Sequence, residues 1–179
     1  IVDHPYQFDF YDGGGLDMAF LGMAECNAKG DVNVSKFKDR IAGCGGFINI
    51  TQNTHKVVFC GTFTAKGLRE EIRDGKLVIT HEGAVQKFID KVGQITFSAD
   101  YAHKHNQQVM FITERCVFVL TDKGLVLTEI APGVDLQKDI LDQMEFVPHI
   151  AEDLKTMDER IFRDEPMGLA QDIFEQQAS

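Results

Sequence analysis

Residues Gly43-Cys44-Gly45-Gly46-Phe47 put three glycines within four positions, between two apolar runs. Without side chains, the backbone there can approach a ligand closely and turn its N–H groups on an anion or an oxyanion. The same run also makes an ordinary tight turn after a strand, and the glycines alone do not separate the two. Neither the dinucleotide spacing GxGxxG nor a GK[ST] phosphate loop is present. Lys66, after Thr62-Phe63-Thr64-Ala65, falls just past a short apolar run, where open α/β sheets bind ligands. It reads either as a contact to an anionic ligand or as a solvated lysine.

Two carboxylates stand in short motifs, Glu82 in Thr80-His81-Glu82-Gly83 and Glu114 in Thr113-Glu114-Arg115. Glu114, beside an arginine, is expected to be structural, paired or solvated. The six histidines are scattered. His103 and His105, two apart, would not share a helix face, and no third ligand stands at a recognisable spacing, so no metal site is expected. No Gly-x-Ser-x-Gly elbow occurs. Cys26, Cys44, Cys60 and Cys116 are far apart with no CxxC pair, which predicts free, mostly buried thiols in a reducing cytosol.

The elements that must position these residues follow from the pattern of apolar residues. Ile1 to Phe10 is aromatic-rich and reads as extended, ending at the Asp12-Gly13-Gly14-Gly15 turn. Met18 to Asn27 reads as a strand, and Val32 to Val34 as its partner across the turn at Ala28 to Asp31. Val57 to Cys60 suits a buried strand, and Leu77 to Ile79 another. Val85, Phe88, Ile89 and Val92 fall at helical spacing, whereas Ile95 and Phe97 alternate as in a strand. Val109 to Thr113, Cys116 to Leu120 and Leu125 to Ile130, with a turn at Asp122-Lys123-Gly124, predict a hairpin unit. Leu136, Ile140, Leu141 and Met144 mark an amphipathic helix capped by Asp135 and stopped or kinked by Pro148. From about residue 151 the tail is charged, thinly apolar and expected to be partly irregular. Strands interspersed with helices predict an α/β fold with an open mixed, largely parallel sheet and flanking helices, as one domain over residues 1–179.

The length of 179 residues suffices for one sizeable core. A net charge of −10 argues against nucleic-acid or anionic-membrane partners, since both need a basic footprint. No apolar run approaches the roughly 20 residues of a membrane span, and no signal peptide is visible. The chain opens Ile1-Val2-Asp3-His4-Pro5, without Met, as a processed or truncated piece would.

Several motifs, in order along nearly the whole chain, resemble the family I CoA transferases of the acetate/propionate type. They are Asp12-Gly13-Gly14-Gly15-Leu16-Asp17, Leu21-Gly22, Gly30-Asp31-Val32-Asn33-Val34, Gly43-Cys44-Gly45-Gly46-Phe47-Ile48-Asn49, Thr113-Glu114-Arg115-Cys116-Val117-Phe118 and Glu129-Ile130-Ala131-Pro132-Gly133-Val134-Asp135. The resemblance implies a double displacement: a glutamate attacks an acyl-CoA thioester, a glutamyl–CoA thioester forms, and a second carboxylic acid takes the CoA. It implies that Gly45 and Gly46, supported by Gly43, supply the oxyanion and acyl-site loop. Lys66, from its place after a strand, then reads either as a contact to the CoA phosphate or pantetheine or as a solvated lysine. Where the family often has Asp two residues after Gly-Gly-x, Asn49 stands here; it keeps an acceptor, adds a donor and loses the charge.

The family's Thr-x-Glu-x-Gly nucleophile motif precedes the Asp-Gly-Gly-Gly segment. Thr80-His81-Glu82-Gly83 falls after the Gly-Gly loop and fits instead the family's Glu-Gly pair before a Lys-Phe helix, here Lys87-Phe88. The expectation is therefore a C-terminal part without its catalytic residue, inactive alone, with the nucleophilic glutamate upstream. Its partners would be the N-terminal part of the same enzyme, short carboxylic acids and acyl-CoA, with coenzyme A as substrate and no tightly bound cofactor. A cytoplasmic homo-oligomer is implied. The alternative is a non-catalytic module that binds CoA or an acyl anion through the same loop.

Overall fold

The structure, a computed structural model, describes residues 1–178. Its centre is a six-stranded sheet: β1 (Met18–Gly22), β2 (Lys56–Cys60), β3 (Gln108–Ile112), β4 (Cys116–Thr121), β5 (Gly124–Ile130) and β6 (His149–Thr156) lie side by side in chain order. β1–β2, β2–β3 and β5–β6 pair in parallel; β3–β4 and β4–β5 pair antiparallel. This is the expected mixed, largely parallel α/β sheet. Four helices accompany it: α1 (His4–Asp12), α2 (Phe47–Gln52), α3 (Ala99–Lys104) and α4 (Leu169–Ala178).

Val57, Val58 and Phe59 are all buried, as a continuous apolar run in a parallel strand covered on both faces should be. Phenylalanines fill the space around them. Phe59 meets Phe97 at 5.1 Å and Phe111 at 5.2 Å between ring centroids, and Phe88 meets Phe63 at 4.7 Å and Phe118 at 5.1 Å. Each such pair adds about 0.5–1.5 kcal/mol beyond area burial.

Five segments differ from the sequence expectation. Ile1 to Phe10 is not extended: α1 begins with Pro5 in its first turn, where a missing N–H costs nothing, after an extended Asp3. Val85 to Val92 is not a helix before or at Lys87-Phe88. Phe88 and Val92 are buried while Val85 is exposed, and the Phe88 backbone is held by an isolated bridge to Cys26 and by the Glu145 N–H. α3 was hidden among histidines and is started by Ser98, whose side chain accepts from the Tyr101 N–H at 3.3 Å. The helix capped by Asp135 is a single wide turn, Leu136–Ile140, followed by a short 3-10 turn, Leu141–Gln143. The charged tail opens with β6, which closes the edge of the sheet beside β5.

The β4–β5 turn depends on one glycine. Gly124 has φ +89°, and a Cβ there would sit 2.4 Å from the Ala28 carbonyl oxygen, the group that also receives the Leu125 N–H. Gly124→Ala is expected to lower unfolding free energy by about 2 kcal/mol or more, the left-handed backbone alone costing ~1–2 kcal/mol. Denaturant unfolding of the variant against the parent checks it.

Candidate functional site

The carboxyl ends of three parallel strands line up, Gly22 opposite Cys60 and Cys60 opposite Ile112. The segments leaving β2 and β3 meet at Arg115, whose side chain is fully buried. A two-residue antiparallel pairing of Thr64–Ala65 with Val85–Gln86 carries Glu82, Gly83 and Lys87 to the same place. Arg115 Nε donates to Glu114 Oε1 at 2.7 Å, Nη1 donates to Glu82 Oε2 at 2.9 Å and to the Asp139 carbonyl at 2.8 Å, and Nη2 donates to Glu82 Oε1 at 3.2 Å. The guanidinium lies 4.8 Å from the centre of the Phe63 ring. Glu114 Oε2 accepts the Phe63 N–H at 2.8 Å; Glu82 also accepts from the Thr64 hydroxyl and from the Gly83 N–H at 3.1 Å. Lys87, buried as well, donates to the Thr62 carbonyl at 2.7 Å.

Four ionisable groups thus meet with two charges of each sign. Burial pushes the Glu82 carboxyl up, but the hydrogen bonds from Arg115 and Thr64, the Arg115 charge and the Gly83 N–H outweigh it and hold Glu82 below its usual range. Burial pulls Arg115 down, and its bonds to Glu82 and Glu114 more than reverse this. Burial pulls Lys87 below an ordinary lysine, opposed by the charge of Glu114. Glu114 is structural, as expected from its neighbour. The hub itself was not foreseen: Arg115 was visible only as a charged residue wedged between two apolar strands.

The glycine loop lies toward the same end of the sheet. α2 begins with Phe47 stacked on Phe59, near the carboxyl end of β2, at 5.8 Å. It ends where Gln107, just before β3, donates to the Thr51 and Thr54 carbonyls at 2.8 and 2.6 Å. Gly43 and Gly45 have φ +81° and +52°, and a Cβ on either would meet nothing within 4 Å. The Gly43 N–H is spent on the Ser35 carbonyl at 3.0 Å, and the Phe47 N–H on the Cys44 carbonyl at 3.0 Å. The N–H groups of Gly45 and Gly46 have no acceptor among the described residues. A Cβ on Gly46 would come within 2.8 Å of the Phe8 ring, so α1 also depends on this glycine. Asn49 donates to both carboxylate oxygens of Asp12, at 3.0 and 3.1 Å; an aspartate at this position would face a like charge.

Lys66 stands on the loop after β2, exposed and with φ +61°; its carbonyl accepts the Ala84 N–H at 3.1 Å. Its side chain makes no ion pair among the described residues. His103 and His105 are both exposed at the end of α3, where His105 stacks on Tyr101 at 3.8 Å. Among the described residues no three His, Cys, Asp or Glu side chains gather into a cation site.

No protein-family model matches the chain. Over 173 residues it is 53% identical to the caffeate CoA-transferase of Acetobacterium woodii, covering 94% of this chain and 33% of that one. Over 168 residues it is 55% identical to the acetate CoA-transferase YdiF of Escherichia coli K12, covering 94% and 32%. The acyl-CoA transferase YdiF of Escherichia coli O157:H7 has the same fold, with a TM-score of 0.92 over 94% of this chain and 33% of that one. It has been crystallised both as apoenzyme and as a thioester complex with CoA. Over nearly its whole length the chain is similar to CoA-transferases, and it spans about a third of the length of the curated relatives it matches.

The Arg115 hub makes a stability prediction. Arg115→Met leaves Glu82 and Glu114 close together without their cation and is expected to cost about 3–5 kcal/mol. Because the folded Glu82 is held below its ordinary value, its contribution is complete above about pH 4.5 and is lost as pH falls through the folded value. Glu82→Gln should therefore flatten the acid limb of stability against pH, measured by urea unfolding from pH 7 to pH 3.

Proposed function

We propose that this chain is the C-terminal part of a CoA-transferase that moves CoA between a short-chain acyl-CoA and a carboxylic acid through a glutamyl–CoA thioester. The upstream part of the same enzyme would carry the nucleophile. Attack by its carboxylate on the thioester carbon sends the carbonyl π pair onto oxygen. Collapse breaks the C–S bond, releasing CoA thiolate from a mixed anhydride, and the thiolate then attacks the glutamyl carbon and frees the acid. Each addition builds an oxyanion that needs donors fixed beforehand.

The observation that carries this reading is the pair of unspent N–H groups at Gly45 and Gly46, on a backbone open at Gly43 and Gly45. The two carboxylates of the chain's own short motifs are unsuited to be the nucleophile, because Glu82 and Glu114 are both held by Arg115. Exposed Lys66, on the loop after β2, is the proposed contact for CoA. The working enzyme is proposed to be a cytoplasmic homo-oligomer. No described helix is long and apolar enough to cross a membrane.

The chain alone is expected to transfer no CoA from acetyl-CoA to another acid; robust turnover that disappears in Glu82→Ala would overturn the assignment. In the longer enzyme, Gly45→Ala should lower kcat by about 10²-fold by crowding the acyl oxygen, the scale of a lost oxyanion donor. Lys66→Ala should raise KM for acetyl-CoA about 3–10-fold with kcat kept, as expected of one exposed charge contact worth ~1 kcal/mol; an unchanged KM removes Lys66 from the site.

A further inference from the structure

Beside the glycine loop is a cavity of about 180 Å³, lined in part by Ser35, Gly43, Cys44 and Thr96. It shares Ile48 and Thr96 with a second cavity of about 210 Å³ that runs toward Tyr101. No charged side chain lines either one. Three isoleucines at the first cavity are exposed despite their size, Ile41 at 77%, Ile48 at 42% and Ile95 at 57%. Exposed apolar side chains gathered round one cavity call for an apolar occupant. A cavity of roughly 150 Å³ holds benzene, so an acyl tail of several carbons has room here.

The polar spot of the cavity is a hydroxyl pair. Ser35 Oγ and Thr96 Oγ1 are 2.7 Å apart, and Thr96 Oγ1 accepts the Val34 N–H at 3.2 Å. Neither hydroxyl has another acceptor among the described residues. Two hydroxyl protons are present and the mutual bond uses one, whichever oxygen donates. The other proton is left over, on Ser35, which is only 6% exposed, or on the half-buried Thr96, and in either case it lacks an acceptor among the described residues. The Ser35 carbonyl receives the Ala42 and Gly43 N–H groups, so the pair is anchored directly against the loop.

We infer that the Ser35–Thr96 pair donates its spare hydroxyl proton to the acyl oxygen of the substrate, and that Ile48 and Ile95 hold its tail. The site would therefore take monocarboxylic acyl groups with an uncharged aliphatic tail. This rests on the reading of the glycine loop as the acyl site. During the addition step the acyl oxygen gains charge while the hydroxyl hydrogen bond shortens onto it; no proton is transferred, and the oxyanion collapses with loss of thiolate as above.

The test uses the longer enzyme, with acetyl-CoA, butyryl-CoA and succinyl-CoA as donors. Ser35→Ala/Thr96→Val together should lower kcat for acetyl-CoA about 10²-fold with KM within about threefold, and Thr96→Ser should behave as the parent. Ile48→Ala should lower kcat/KM for butyryl-CoA about tenfold and for acetyl-CoA less than twofold. Succinyl-CoA should be at least 10²-fold poorer than butyryl-CoA, because its second carboxylate meets no cation. A parent enzyme that transfers from none of the three overturns the transferase reading, and this inference with it. Acetyl transfer in the parent, matched by the double variant, overturns the hydroxyl role alone and leaves the transferase reading standing.

Discussion

A fully buried guanidinium held between two carboxylates is the constraint on which the rest of this molecule's working end depends. Arg115 follows β3 at its carboxyl end, and from there it reaches Glu82, one residue past the second strand of the Arg69–Arg73/Lys76–His81 hairpin, the adjacent Glu114 and the backbone of the turn at Asp139. Without those partners the desolvation of one arginine would cost several kcal/mol. With them, three segments far apart in sequence are tied at one point. Glu114 in turn holds the Phe63 N–H, so the loop that follows β2 and carries Lys66 is shaped by the same network.

That tie separates structural from chemical work. The carboxylates nearest the strand ends are occupied in holding the fold. The groups left unspent are neutral donors: the Gly45 and Gly46 N–H groups and one hydroxyl proton of the Ser35–Thr96 pair. Preorganised neutral donors suit a site where negative charge appears only transiently, because they stabilise the oxyanion without holding a permanent anion in its place. On this account the chain provides the electrostatic half of an acyl-transfer site, and the nucleophilic half comes from elsewhere in the enzyme.

Where a segment's own residues decided its conformation, the sequence was readable. Val57 to Phe59 formed a buried strand because both faces are covered, and the β3–β4–β5 meander followed from apolar runs around Asp122-Lys123-Gly124. The glycine loop was visible as a loop, and its resemblance to known motifs supplied a role. β6 was missed because it is an edge strand: Glu152, Asp153 and Lys155 make it look like solvated tail, and charge is what keeps such an edge from pairing further. The helical spacing of Val85, Phe88, Ile89 and Val92 misled because Phe88 is buried by contacts to distant strands rather than by a helix face. The Arg115 hub was invisible for a similar reason. Its partner Glu82 lies 33 residues earlier, and only the hairpin brings them together.

The central claim is that this chain supplies donors and not the nucleophile. Its most direct test is to incubate the longer enzyme with acetyl-CoA, digest it, and find by mass spectrometry which peptide carries CoA. The account predicts a CoA-bearing glutamate upstream of Ile1, with Glu82 and Glu114 unmodified. A CoA thioester on any carboxylate between Ile1 and Ser179 would contradict it.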